Sequence, residues 1–266
     1  MMSSHGPPLL FALFAWWFST GAILLLDRLP KMSVVWTLLL ATLIGGGALF
    51  GIAHTAVEAD AAGAYVAFSC ALAIWGWHEW AFLTGTLTGP RTEPCPPGAR
   101  GWLRFRLAAA TLIYHELALA VTGAVVVALT WGQPNQTAAW TYFVLFVMRI
   151  SAKLNIFLGV PNFTDDFLPP RLAYLKSYFQ RRAFNPLFPV SIAIGLAIAI
   201  ASAAAALNAE VGGAAQVGFT LTFALGALAL VEHAFMVAPF RDSTLWRWAM
   251  SPAAVDRAYK DSGRMP

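Results

Sequence analysis

Apolar residues along this chain gather into seven blocks, covering approximately residues 8–26, 33–53, 63–88, 104–130, 137–158, 187–207 and 215–239. The blocks run unbroken at roughly the 20 residues that cross about 30 Å of hydrocarbon when coiled at about 1.5 Å per residue. Most Pro and most charge fall between them, as in Asp27-Arg28-Leu29-Pro30, Glu93-Pro94-Cys95-Pro96-Pro97-Gly98 and the long interval 159–186. The pattern predicts an all-α polytopic membrane protein of seven transmembrane helices. Residues 1–266 form one integral membrane domain, since no interval is large enough for another.

Composition agrees: 59% of residues are hydrophobic, 11% are charged and the mean hydropathy is +0.64. The net charge of +4 does not imply a nucleic-acid partner, because the cations are sorted by side. Alternate intervals carry Arg28 and Lys31; Arg91 and Arg100, joined by Arg104 and Arg106 at the start of the fourth block; Arg171, Lys176, Arg181 and Arg182; and, in the tail, Arg241, Arg247, Arg257, Lys260 and Arg264. The opposite intervals, His54 to Ala62, Trp131 to Gln136 and Asn208 to Ala214, have no Lys or Arg. By the positive-inside rule the N-terminus is periplasmic and the C-terminus cytoplasmic, in a bacterial inner membrane, cytoplasmic or intracytoplasmic. The first block has a signal peptide's length, but its cationic flank follows it, so it reads as a retained span. Cys70 lies within the third block and Cys95 in a loop, placements that predict two unbridged thiols.

All but two of the 17 Lys and Arg are thereby placed; the exceptions, Arg149 and Lys153, share one face of the fifth block at i and i+4. Partners for them are offered by three adjacent pairs: His78-Glu79 in the third block, His115-Glu116 in the fourth and Glu232-His233 in the seventh. All these groups lie about 7 to 16 Å from the cytoplasmic ends of their helices, in one layer. The third, fourth, fifth and seventh helices therefore pack around a common site. Five unpaired charges at such depth would cost roughly 12 to 17 kcal/mol, so pairing is close to obligatory. Three carboxylates face two cations, which leaves one negative charge for a protonated histidine, a proton or a metal.

Three readings of this layer stand side by side. One is a structural network that ties helices together and binds nothing. Another is a transition-metal site with His78, Glu79, His115, Glu116, Glu232 and His233 as ligands, although adjacent His and Glu diverge by about 100° and helical di-metal sites space them three apart. The third makes one histidine the axial ligand of a chlorin magnesium, with Trp75, Trp77, Trp80 and Tyr114 on the macrocycle. In the loops, residues 171–182 read as a basic amphipathic helix with Leu172, Leu175 and Phe179 on one face, lying on the membrane surface or docking a partner. The proline-rich loop presents Cys95 as an ordinary solvated thiol.

The strings Trp16-Trp17-Phe18-Ser19-Thr20-Gly21, Trp75-Gly76-Trp77-His78-Glu79, Pro94-Cys95-Pro96-Pro97-Gly98-Ala99-Arg100-Gly101-Trp102, Tyr114-His115-Glu116-Leu117-Ala118-Leu119 and Ser151-Ala152-Lys153-Leu154-Asn155-Ile156-Phe157-Leu158-Gly159-Val160-Pro161-Asn162 resemble the PuhE family. The resemblance runs from the first helix through Trp246-Arg247-Trp248. It implies an assembly factor for the photosynthetic complexes of anoxygenic phototrophs, with reaction-centre or light-harvesting subunits and other assembly factors as partners and bacteriochlorophyll or a precursor as a candidate ligand. It carries no catalytic residues. The alternative is an intramembrane metal-dependent enzyme of bacteriochlorophyll or carotenoid synthesis.

Overall fold

The computed structural model describes residues 2–27, 31–163, 168–238, 245–246 and 248–249. Arg28, the Asp165-Asp166 pair and the tail cations Arg241, Arg247, Arg257, Lys260 and Arg264 lie outside these residues, as does Pro239, the predicted end of the last span. The described chain is helical: α1 Met2–Leu26, α2 Lys31–Thr55, α3 Ala61–Leu83, α4 Gly101–Ala109, α5 Ile113–Thr130, α6 Thr137–Leu158, a 3-10 helix Pro170–Tyr178, α7 Leu187–Asn208 and α8 Ala214–Phe235. Among the described residues six helices are long and apolar enough to cross a membrane: α1, α2, α5, α6, α7 and α8. α3 has the length, at 23 residues, but its Trp75–Trp80 stretch with His78 and Glu79 dilutes the apolar run.

α3 stands at the centre. Ala64 and Phe68 join Ala12 of α1, Val144 and Met148 of α6 and Val217, Leu221 and Leu225 of α8. On another side of α3, Ala67, Ala71, Ile74 and Trp75 pack with Ile52 of α2, Leu119 and Val126 of α5 and Tyr142 of α6. Gly218 lets α8 approach α6 closely, since a Cβ there would lie 2.2 Å from the Thr137 hydroxyl. Asp60 starts α3 by accepting a hydrogen bond from the Gly63 amide at 2.8 Å, satisfying a donor the helix cannot.

The two ends of the bundle differ. At one end the three cation-free connections meet: the Asn135 amide donates to Ala56 O, and Ala214 N donates to Ala59 O. The N-terminal segment belongs to this end, where His5 lies 2.9 Å from Thr220 and 3.0 Å from Gln216 of α8. At the other end Arg91 donates to the Tyr178 hydroxyl, the Cys95 amide to Ser177, and Arg104 to Phe157 O and Tyr178 O. Cys70 and Cys95 are both free.

Three expectations need correction at this cation-rich end. The third helix stops at Leu83 instead of Thr88, turned out by Gly85 at φ 77°. The fourth block is not one helix: α4 ends at Ala109, residues 110–112 are non-α, and α5 starts afresh at Ile113. The reason is the incoming loop. Arg91 N donates to Ala110 O, His115 N donates to Thr88 O, and Gly89 is pressed so close that a Cβ would lie 2.2 Å from Ala110 O. Finally, residues 171–182 do not form a membrane-lying α-helix. The 3-10 helix repeats every three residues, which aligns Leu172, Leu175 and Tyr178, all three buried, while Phe179 just beyond it also packs against the Leu172–Leu175 cluster. Leu172 and Leu175 pack on Phe82 of α3, so this face meets protein and not lipid.

Candidate functional site

α6 is an apolar helix whose second half carries two polar faces, because Arg149 and Lys153 repeat at i, i+4 and Ser151 and Asn155 repeat in the same way two positions out of step. Two residues turn a helix by about 200°, so the pairs point in opposite directions. Arg149 Nη2 donates to Glu79 Oε2 of α3 at 2.8 Å, and Lys153 Nζ donates to Glu116 Oε1 of α5 at 2.5 Å. On the opposite face Ser151 meets His233 Nε2 of α8 at 2.9 Å, and Asn155 donates to the Ser191 hydroxyl of α7 at 2.8 Å. The His233 Nδ1 lies 2.9 Å from Ala229 O. A carbonyl only accepts, so Nδ1 carries the proton and, in the neutral ring, the Ser151 hydroxyl donates to Nε2.

The layer therefore gathers six of the eight predicted residues on one side: His78, Glu79, His115, Glu116, Arg149 and Lys153. His78 Nε2 lies 3.0 Å from Thr122 Oγ1 of α5, and the His78 and His115 rings are 6.3 Å apart between centroids. Phe82 sits below, 4.7 Å from the His115 ring and 5.7 Å from Lys153 Nζ. Glu232 accepts a hydrogen bond from Trp16 Nε1 of α1 at 2.8 Å and also acts electrostatically on Arg149, while His233 turns away toward α6 and α7. The divergence of adjacent residues separates Glu232 from His233.

The two ion pairs differ in setting. The Arg149 side chain keeps 44% of its surface exposed and Lys153 only 20%. Several buried polar atoms have no hydrogen bond among the described residues: His78 Nδ1, both ring nitrogens of His115, Glu79 Oε1, Glu116 Oε2 and Trp80 Nε1.

Neither ligand expected from the sequence fits the arrangement as it stands. Among the described residues no three His, Cys, Asp or Glu side chains converge closely enough to hold a metal ion. His78, His115 and His233 are each 1% exposed or less, so a chlorin magnesium would reach none of them without parting the helices.

Sequence reasoning missed Trp16, Thr122, Ser151, Asn155 and Ser191, and it gave His5 no role although that ring pins α1 to α8. The Ser151 and Asn155 repeat was a readable signal. The others are single polar residues whose partners lie on distant helices. At the cation-rich end Arg171 pairs with Asp27 and donates to Leu83 O, clipping the 3-10 helix to the ends of α1 and α3. Burial pushes the Asp27 carboxyl up, and Arg171 pulls it back.

A 30.4 kDa protein of Rhodobacter capsulatus, named for its place in the puhA 5' region, is 41% identical over 254 residues, which span 94% of this chain and 92% of the relative. No solved structure matches. A family model described as "Protein of unknown function (DUF3623)" matches residues 2–257, and the chain belongs to that family.

Proposed function

We propose that this protein is a non-catalytic biogenesis factor for bacterial photosynthetic complexes, crossing the inner membrane seven times with its N-terminus outside and its C-terminus in the cytoplasm. The observation that carries the role is the relative from the puhA 5' region, matched over nearly its whole length, puhA being a photosynthetic reaction-centre gene. The resemblance to the PuhE assembly proteins points the same way. For the topology, the cation-free and cation-rich connections meet at opposite ends, and α3 links one end to the other only by crossing.

The polar layer is the framework of this factor. Its cations are paired and its histidines are buried among packed helices, which favours holding nascent reaction-centre or light-harvesting subunits over storing pigment or transforming a substrate. A metal enzyme would need a converging ligand set, and the pairings of Glu79 and Glu116 with cations oppose one.

The test is purification in mild detergent from a phototrophic host after crosslinking, with an absorption spectrum and elemental analysis on the same sample. Crosslinked photosynthetic-complex subunits without stoichiometric chlorin or metal are expected. Bound chlorin that disappears in the His78→Ala, His115→Ala variant would replace this reading with pigment handling, and a stoichiometric transition metal would replace it with an enzyme.

A further inference from the structure

Among the short helical elements at the cation-rich end, α4 differs from the 3-10 helix in what it shows to its surroundings. Its inner face is fixed: Arg104 donates to Phe157 O and Tyr178 O and lies 4.1 Å over the Phe157 ring, and Ala108 is buried. On the helical wheel Trp102, Arg106 and Leu103 fall within about 100° of one another on the opposite face. Trp102 is 70% exposed and Leu103 55%, with Arg106 exposed between them and Arg100 exposed just before the helix. Arg182 also belongs to this corner, acting electrostatically on Arg104. The nearby Glu93 and Asp27 carboxylates are taken by Arg91 and Arg171, and among the described residues Arg100, Arg106 and Arg182 have no carboxylate partner.

We propose that α4 is an interfacial foot that binds an anionic phospholipid, with Trp102 and Leu103 at the acyl boundary, Arg100 and Arg106 at the headgroup phosphate and Arg182 adding to the positive field of the corner. A protein partner could use the charges, but indole and leucine beside arginine, on a short helix that three residues separate from the start of α5, match the chemistry of the lipid interface. Each cation near an anionic leaflet contributes about fivefold in binding. Neutralising three should therefore cost at least about tenfold.

The test uses full-length, delipidated protein titrated with nanodisc or micelle lipids, either brominated phosphatidylglycerol or brominated phosphatidylcholine, reading tryptophan quenching. A W102F variant isolates the Trp102 component. The proposal expects that component to be quenched at least about tenfold more readily by the anionic lipid, with the preference lost in R100Q/R106Q/R182Q and kept in R100K/R106K/R182K. Equal quenching by both lipids would overturn it. So would a preference that survives the glutamine variant, or one lost equally in the lysine variant, which would make these arginines structural.

Discussion

Lys153 and Glu116 are the charge pair most withdrawn from solvent, and their worth is best judged by what each leaves behind when the other is removed. Lys153→Met strands a carboxylate whose second oxygen already has no partner among the described residues, and should cost about 3–5 kcal/mol of stability. Lys153→Met with Glu116→Leu removes both charges and should recover most of that loss. The same cycle on Arg149 and Glu79 should give a penalty of the same order, because that pair lies in the same layer and removing either partner strands the other's charge. Unfolding in detergent, followed by circular dichroism, checks all of these; a double variant no better than Lys153→Met would show that Glu116 has work beyond pairing. His115 makes the opposite prediction. Among the described residues both its ring nitrogens are buried without hydrogen bonds, each a liability of about 1–3 kcal/mol, so His115→Leu should leave stability unchanged or raise it. A clear loss on thermal unfolding would mean that the imidazole is held by a bound group. At this scale the charged residues and their need of partners were legible in the sequence, since charge in an apolar block has no bland surroundings. Their pairings were not, because Thr122 and Ser151 are unremarkable residues until α5 and α8 are brought beside them.

Elements are where the apolar pattern reads most securely and also where it misleads. The spans that the pattern marked as 137–158 and 187–207 recur as α6 and α7 almost to the residue, since nothing competes with helix inside an apolar stretch. The fourth block failed at Ala110–Leu112, where the sequence offers neither Pro nor Gly as a signal. The cause lies some 20 residues upstream, in the loop that brings Thr88 and Gly89 against the helix and takes its hydrogen bonds. Gly89→Ala should therefore destabilise by about 3 kcal/mol, the upper end of the usual overpacking cost, because its Cβ would meet backbone atoms at 2.2 to 2.7 Å that cannot rotate aside. Gly46→Ala, in α2 with nothing within 4 Å, should be neutral or gain up to about 1 kcal/mol. Comparing the two by thermal unfolding separates a built junction from glycine content in general; similar losses in both would deny the junction. The 3-10 helix teaches a related lesson: basic residues and spaced leucines read as amphipathic α-helix, but Pro169-Pro170 and a three-residue repeat turn Tyr178 inward.

For the whole molecule the decisive question is whether α3 crosses the membrane, because the orientation of everything after it depends on the answer. Its apolar first half is followed by Trp75, Trp77, His78, Glu79 and Trp80, a run that would be costly facing lipid. The fold relieves that cost by burying His78, Glu79 and Trp80, with His78 against Thr122 of α5 and Glu79 paired with Arg149 of α6. A helix too polar to span alone can thus span as the centre of a bundle. The loop before it holds exposed Val57 and the loop after it exposed Pro97, so these two positions lie on opposite sides if α3 crosses and on the same side if it does not. In a C70S/C95S background, V57C should react with a membrane-impermeant maleimide in intact spheroplasts, whereas P97C should react only after lysis. V211C, in the α7–α8 connection, should behave like V57C, since that loop meets the α2–α3 loop through Ala214 and Ala59. Labelling of V57C and P97C from the same side would remove α3 from the count and leave six spans. Because α4 and the second loop would then share a face with the first, it would also leave unexplained why all the cation-free connections gather at one end.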